Sequence, residues 1–401
     1  MNSEPTTPLR HPGSVWEVFT VFLRLGLTSF GGPIAHLSYF REAFVQRRKW
    51  LSEHAYADLV SLCQLLPGPA SSQVGMALGL QRAGLLGLLA AWAGFTLPSA
   101  LLLFGFALGA PWLSESFGQG WLIGLKAAAV AVVAHAVLGM ARVLTPDAVR
   151  ASIAVLTLAV VLLIPSALTQ LAVMGAAAVV GLICLKTPTE QRREKKLVHS
   201  RGTAIGALAL FASLLFILPI VAALQPSLLW QLTDVFYRVG SLVFGGGHVV
   251  LPLLETELVS TGKIDEQMFL AGYGAAQAVP GPLFTFAAFL GAVTPGASYP
   301  PLTSLVALLA IFLPSALLVI GVLPFWDTLR GYANMRRALS GVNAAVVGIL
   351  AAALYSPVFI HGVPNTATFV LAATCFVALT MWKAPAWAVV LAAAVIGGWL
   401  L

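Results

Sequence analysis

The chain has 401 residues, 59% of them hydrophobic and only 9% charged, with a mean hydropathy of +0.91. A soluble domain carries about 25% charged residues, so there are too few charges here to cover a water-facing surface, and the bulk of the chain belongs in lipid. The net charge of +7 is not a nucleic-acid signal: Lys and Arg gather between apolar runs, as cytoplasmic loops do, and no nucleic-acid partner is expected.

The start, Met1 to Ser14, is polar and holds Pro5, Pro8 and Pro12. The first apolar stretch begins at Trp16 without a small-residue cleavage site after it, so no cleaved signal is expected. Arg24 lies inside this stretch. The run Phe30-Gly31-Gly32-Pro33 breaks it, with His36 just beyond and an amphipathic stretch up to Trp50 that carries Arg41, Arg47, Arg48 and Lys49. Residues 54–82 hold two apolar pieces, each short of the ~20 residues that cross a bilayer. They meet at Pro67-Gly68-Pro69, followed by Ser71, Ser72 and Gln73. Two half-helices joined at such a tip read as a re-entrant hairpin, tolerated at membrane depth only where protein or a watery cavity covers it.

Crossings are expected near 83–109, 121–141, 151–165 and 167–186, with Lys126 inside the second. A basic linker follows, with Lys186, Arg192, Arg193, Lys195, Lys196 and Arg201, and then one extra apolar segment near 202–224. Beyond it the opening pattern returns. Phe22 to Gly26 recurs as Phe236 to Gly240, bringing Arg238 into register with Arg24. The glycine turn recurs as Phe244-Gly245-Gly246-Gly247, with His248 after it. Pro67-Gly68-Pro69 recurs as Pro280-Gly281-Pro282, with Thr285 downstream. Leu97-Pro98-Ser99 recurs as Leu313-Pro314-Ser315, and Gly124-Leu125-Lys126 as Gly341-Val342-Asn343. Five matches in one order make the chain a duplicated unit.

The unpaired segment between the units would turn the second one over. Loop charge agrees: where the first unit carries Arg41, Arg47, Arg48 and Lys49, the second carries Glu255, Glu257, Asp265 and Glu266, with Lys263 its only basic residue. Opposite bias fits opposite membrane sides, and inverted repeats typify secondary transporters. The expected architecture is an all-α polytopic membrane protein of two inverted repeats with broken, re-entrant helices, joined by one extra transmembrane helix. Its divisions are a polar tail over 1–14, a first repeat over 15–186, a linker with the unpaired helix over 187–224, and an inverted repeat over 225–401. Further crossings near 302–323, 338–357, 366–381 and 384–401 bring the expectation to nine crossings and four hairpins. The rival reading, with every apolar segment crossing, puts Arg41 to Lys49 outside. The N-terminus is expected in the cytoplasm and the C-terminus in the periplasm.

No nucleophile elbow, P-loop or zinc-helix motif is present, so the chain does not read as an enzyme, and no cofactor or metal is expected. Cys63, Cys184 and Cys375 fall in apolar segments and read as small buried hydrophobes. The chemistry points instead to the four breaks. A helix N-terminus offers N–H groups and a positive dipole end to an anion, and Pro fits its first turn. Candidate anion-binding residues are therefore Gly31, Gly32, Pro33 and His36; Pro67, Gly68, Pro69, Ser71, Ser72 and Gln73; Gly245, Gly246, Gly247 and His248; and Pro280, Gly281, Pro282 and Thr285. Arg24, Arg238 and Lys126 join them as intramembrane cations, with Asn343 standing where the second repeat lacks the lysine.

Taken together, Phe30-Gly31-Gly32-Pro33, Leu66-Pro67-Gly68-Pro69 with Gln73, Phe244-Gly245-Gly246-Gly247 and Val279-Pro280-Gly281-Pro282-Leu283 resemble the chromate ion transporter family. The resemblance runs from about residue 15 to the end. It implies a bacterial inner-membrane protein that confers chromate resistance by expelling chromate from the cytoplasm, with sulfate, a tetrahedral dianion of similar size, as the competitor. A homodimer is left open. The spacing alone supports an anion transporter, and leaves an anion channel, a sulfate or other oxyanion exchanger, and a non-transporting membrane scaffold or sensor as alternatives.

Overall fold

A computed structural model of the chain describes residues 13–30, 32–185, 201–244, 249–325 and 333–400. The basic linker, Gly31 and the turn at 245–248 lie outside these residues. No strand occurs among the described residues.

The two repeats start alike because their caps match. Helix α1 (Val15–Thr28) begins at Ser14, whose hydroxyl accepts from the Glu17 N–H. Its counterpart α9 (Leu228–Leu242) begins at Ser227, which accepts from the Trp230 N–H. In the first repeat α2 (Gly32–Phe40) passes into a π-helical turn, Arg41–Arg47. In the second, α10 (Val250–Leu254) passes into the π-helical turn Glu255–Val259. Helix α3 (Glu53–Leu65) is capped by Ser52, and its counterpart α11 (Glu266–Ala278) by Asp265. Each cap satisfies an orphan amide at a helix start.

Helix α4 (Ala70–Phe117) is two helices in one run. Ala83 leaves helical backbone, and Gly84 takes φ +67°, a left-handed value suited to glycine. The chain reverses there. Gly79 and Gly87, eight positions apart, lie face to face: a Cβ on Gly79 would sit 2.2 Å from the Gly87 carbonyl oxygen. Arg82, at the reversal, pairs with Glu17 on α1 at 3.1 Å. Residues 70–82 thus pack back on the helix that follows Gly84. In the second repeat α11 is followed by the short turn Leu283–Thr285 and α12 (Phe286–Val293), which folds back on α13 (Pro300–Val322).

The rest of the first repeat is α5 (Gly120–Leu144), α6 (Ala148–Leu163) and α7 (Ala167–Cys184). The rest of the second is α14 (Ala333–Ala353), continued by turns to Gly362, then α15 (Thr366–Thr380) and α16 (Ala386–Leu400). Each repeat embraces the other's last pair of helices. Gly124 of α5 lies against the Ala393 carbonyl of α16, and Gly120 against Gly397. In mirror fashion Gly341 of α14 lies against the Ala177 carbonyl of α7. Small residues let backbones approach this closely, which drives helix association in lipid.

The register also gives direction. Residues 120 and 124 meet 397 and 393, so α5 and α16 are antiparallel; 341 and 337 meet 177 and 181, so α14 and α7 are antiparallel. The tight turns 145–147 and 164–166 make α5 run with α7. The equivalent helices α5 and α14 therefore run in opposite directions, as an inverted repeat requires.

Helix α8 (Arg201–Leu224) stands between the repeats and packs on α9 and α13. It leaves Ile205, Leu210, Phe216, Ile217, Ile220 and Leu224 exposed, an apolar surface that lipid covers. Among the described residues, five helical stretches are long and apolar enough to cross a membrane; one of these is the run from Ala70, of which only the part after Gly84 runs in one direction. Four of the nine expected crossings are short helices. Helices α6, α7, α15 and α16 have 15 to 18 residues, about 22–27 Å at 1.5 Å per residue, against a ~30 Å hydrocarbon core. Caps at Asp147, Ser166 and Asn365, and Pro385 ahead of α16, cut them short. Of the cysteines, Cys63 and Cys375 are buried and Cys184 is exposed.

Candidate functional site

The two Pro-Gly-Pro breaks meet the opposite repeat. Gly68 donates its N–H to the Val243 carbonyl at the end of α9, at 2.6 Å. Gly281 donates its own to the Ser29 carbonyl at the end of α1, at 2.9 Å. Both glycines have left-handed backbone, φ +118° and +100°, which other residues rarely adopt. Each lies against the serine of the other repeat's Leu-Pro-Ser motif. A Cβ on Gly68 would come 2.2 Å from Ser315 Oγ, and one on Gly281 would come 2.8 Å from Ser99 Oγ. The breaks are thus closed by long-range partners, and the structure brings Pro67 to Pro69 and Pro280 to Pro282 into one layer.

That layer is polar and buried. Ser29, His36, Ser71, Ser72, Gln73, Thr96, Ser99, Thr285 and Ser315 are all buried, none more than 3% exposed. Gln73 donates through Nε2 to the Pro67 carbonyl at 2.6 Å and reaches Ser315 Oγ at 3.4 Å. Thr285 donates to the Pro282 carbonyl at 2.8 Å. His36 Nδ1 stands 3.4 Å from Ser71 Oγ, with its ring edge-on to Phe95. The hydroxyls of Ser29, Ser72 and Thr96, and Gln73 Oε1, are buried without a hydrogen-bond partner among the described residues. An unsatisfied buried polar atom costs about 1–3 kcal/mol, so three unspent hydroxyl donors in one layer call for an explanation. No side chain caps the helix that starts at Ala70, which leaves its first amides to the same space. Such hydroxyls and amides need an acceptor, and the oxygens of a tetrahedral oxyanion are acceptors.

Known proteins resemble this chain over most of its length. The family model described as "Chromate transporter" matches residues 16–182 and again residues 230–398. The chain belongs to the chromate transporter family. It is 29% identical over 352 residues to a "Probable chromate transport protein" of Synechococcus elongatus, covering 86% of this chain and 85% of that one. It is 28% identical over 353 residues to a "Chromate transport protein" of Pseudomonas aeruginosa, covering 85% and 80%. A "Chromate transport protein" of Cupriavidus metallidurans is 26% identical over 365 residues, covering 88% and 84%. No solved structure matches the chain.

In this chromate transporter chain the other candidates are dispersed. Gly32 has φ +77° and starts α2, with Pro33 in that helix; Gly31, Gly245, Gly246, Gly247 and His248 lie outside the described residues. Arg24 is exposed and makes no ion pair among the described residues. Arg238, at the matching position, is held by Asp234 at 2.9 Å and Glu257 at 2.5 Å. Lys126 is 7% exposed on α5 and has the acidic residues Asp265 and Glu266 as its electrostatic partners. Asn343 is half-buried on α14.

Sequence reasoning passed over Ser29, Thr96, Ser99 and Ser315. The repeated Leu-Pro-Ser marked the duplication, and its serine was the signal for two of them. At the hairpin ends, burial raises the Glu255 carboxyl above the usual carboxylate range, against a hydrogen bond from Ser260. Burial likewise raises Glu266, against the pull of His361.

Proposed function

We propose that the chain is a secondary transporter that exports chromate from the cytoplasm, binding the oxyanion where the two Pro-Gly-Pro breaks cross. The supporting observation is the reciprocal crossing itself, Gly68 onto Val243 and Gly281 onto Ser29, lined by the hydroxyls of Ser29, Ser72 and Thr96, which have no hydrogen-bond partner among the described residues. A site shared between inverted repeats near mid-membrane is the usual place for a carrier's cargo. Ser29, Ser72 and Thr96, with Ser71, Gln73 and Thr285 beside them, are the contacts assigned to it, and Gly68 and Gly281 position the breaks.

In this reading the protein lies in the bacterial inner membrane, N-terminus in the cytoplasm and C-terminus in the periplasm, divided as 15–186, 187–224 and 225–401. The charge contrast between Arg41–Lys49 and Glu255–Glu266 supports the opposed hairpins. Export needs no nucleotide: a membrane potential is worth ~2.3 kcal/mol per charge per 100 mV, about 4.6 kcal/mol for a dianion leaving a negative interior.

Uptake into inverted vesicles tests this. Chromate is expected to accumulate under an inside-positive potential, with sulfate competing. No accumulation supports the scaffold alternative. Accumulation without trans-stimulation in counterflow supports a channel.

A further inference from the structure

The two repeats share a hairpin geometry and differ in its charge. In both, the π-helical turn ends alike: Trp50 N–H bonds to the Phe44 carbonyl at 2.8 Å, and Ile264 N–H to the Leu258 carbonyl at 2.9 Å. Ser52 and Asp265 then cap the next helix. This register puts Arg41 opposite Glu255 and Glu53 opposite Glu266. In the first repeat Arg41 pairs with Glu53 at 2.5 Å. In the second the arginine is a glutamate, so two carboxylates stand at the positions that an ion pair holds in the first repeat. Where the first repeat holds a fixed cation, the second holds none in that position.

The surroundings of the acidic pair are titratable and partly buried. His361, from the turn after α14, stands with Nδ1 2.6 Å from Glu266 Oε1. Ser260 donates to Glu255 at 3.1 Å. Glu255 lines a cavity of about 410 Å³ with Gln170, Thr256, Ser260, Tyr355 and Ser356. Gln170, from α7 of the first repeat, donates to Thr256 at 2.9 Å. It is 4% exposed, and its Oε1 has no hydrogen-bond partner among the described residues. The cavity therefore lies between the repeats and holds one carboxylate among hydroxyl and amide groups. Helix α5 brings Lys126 to the group, the start of α11 brings Asp265 and Glu266, the turn after α14 brings His361, and α7 brings only the neutral Gln170. Glu257, on the same turn as Glu255, is taken up by Arg238. A space whose lining, among the described residues, holds a carboxylate and no cation repels an oxyanion and attracts a cation. Among the described residues no three His, Cys, Asp or Glu side chains are set to hold a metal ion, whereas a proton needs only one carboxylate at a time.

We propose that Glu255, Glu266 and His361 form a proton-binding site, present in the second repeat alone, through which chromate movement is coupled to proton movement. This rests on the transport reading above. Binding a proton at Glu255 removes the repulsion from Glu266 and leaves the cavity between the repeats neutral; release restores it. The site thereby favours different packings of the two repeats in its two protonation states.

The test uses the full-length protein in liposomes with a trapped pH dye and radiolabelled chromate. In the wild type, chromate movement should shift the internal pH, and a one-unit pH difference should change the chromate accumulation ratio by about tenfold per coupled proton. Glu255→Arg rebuilds the arginine–glutamate pair of the first repeat. Its ratio of flux with and without the pH difference should fall to one, and Glu266→Gln should follow it. Wild-type chromate flux that moves no protons and ignores the pH difference overturns the inference while the transport reading stands. No chromate movement at all overturns both. Should Glu255→Arg fail to fold, the dye signal of the wild type decides alone.

Discussion

Gly68 and Val243 are 175 positions apart in sequence and joined by a 2.6 Å backbone hydrogen bond. The bond belongs to neither repeat. It fixes the first repeat's break against the second repeat, and Gly281 on Ser29 returns the arrangement. The tip of each half-helix pair is therefore positioned by the opposite half, which makes this crossing sensitive to a single methyl group.

Gly68→Ala should be among the most damaging small substitutions. Alanine at φ +118° costs about 1–3 kcal/mol, and its Cβ would meet Ser315 Oγ at 2.2 Å. Thermal unfolding in detergent should show the loss. Adding Ser315→Ala removes the clashing oxygen and should recover the steric part only. Equal instability of the single and double variants would show that the hydroxyl contact does not matter.

Thr96→Val should behave in the opposite way. The Thr96 hydroxyl is buried and unsatisfied among the described residues, so its removal should leave stability unchanged or slightly raised. A hydrogen bond to a charged group is worth about 1.5–3 kcal/mol, so chromate affinity should fall about tenfold or more. A chromate-dependent thermal shift measures both. Loss of stability with unchanged affinity would make Thr96 structural.

Arg24 and Arg238 occupy the same repeat position and should respond differently. Arg238→Gln strands two partly buried carboxylates, Asp234 and Glu257, and should cost about 1–3 kcal/mol after allowance for partial solvent screening. Arg24→Gln should leave the unfolding temperature unchanged. Equal losses would mean that Arg24 has a partner of similar weight.

Single cysteines at Arg47 and Lys263 test the opposed hairpins. The first should react with an impermeant reagent only from the cytoplasm and the second only from outside. Labelling of both from one side would contradict the proposed orientation.

Much of this was readable from the residues, and the boundary has a physical cause. The breaks at Pro67-Gly68-Pro69 and Pro280-Gly281-Pro282 are local chemistry: proline and glycine end helices wherever they stand. The caps Ser52 and Asp265 are equally local. The partners of the breaks are not, because Val243, Ser29, Ser99 and Ser315 reach them only through the packing of one repeat on the other. The two arginines show a signal that was present and unread. Asp234 precedes Arg238 by one helical turn, whereas Thr20 precedes Arg24, so the second arginine already had its partner in the i, i+4 register. Helix ends were less legible than helix positions. Apolar runs near 151–186 and 366–401 suggest full crossings, and the turns at Pro165 and Pro385 take residues from both members of each pair.

The crossing also sets an order in time. A ribosome adds roughly 5–20 residues per second, so Val243 is made about 9–35 seconds after Gly68, and Gly281 later still after Ser29. Throughout that interval the first break has no carbonyl to receive its amide, and the α1 carbonyl has no amide to accept. The N-terminal half must wait in the membrane unfinished, its open break covered by water or by the insertion machinery, until the second half arrives to close both breaks.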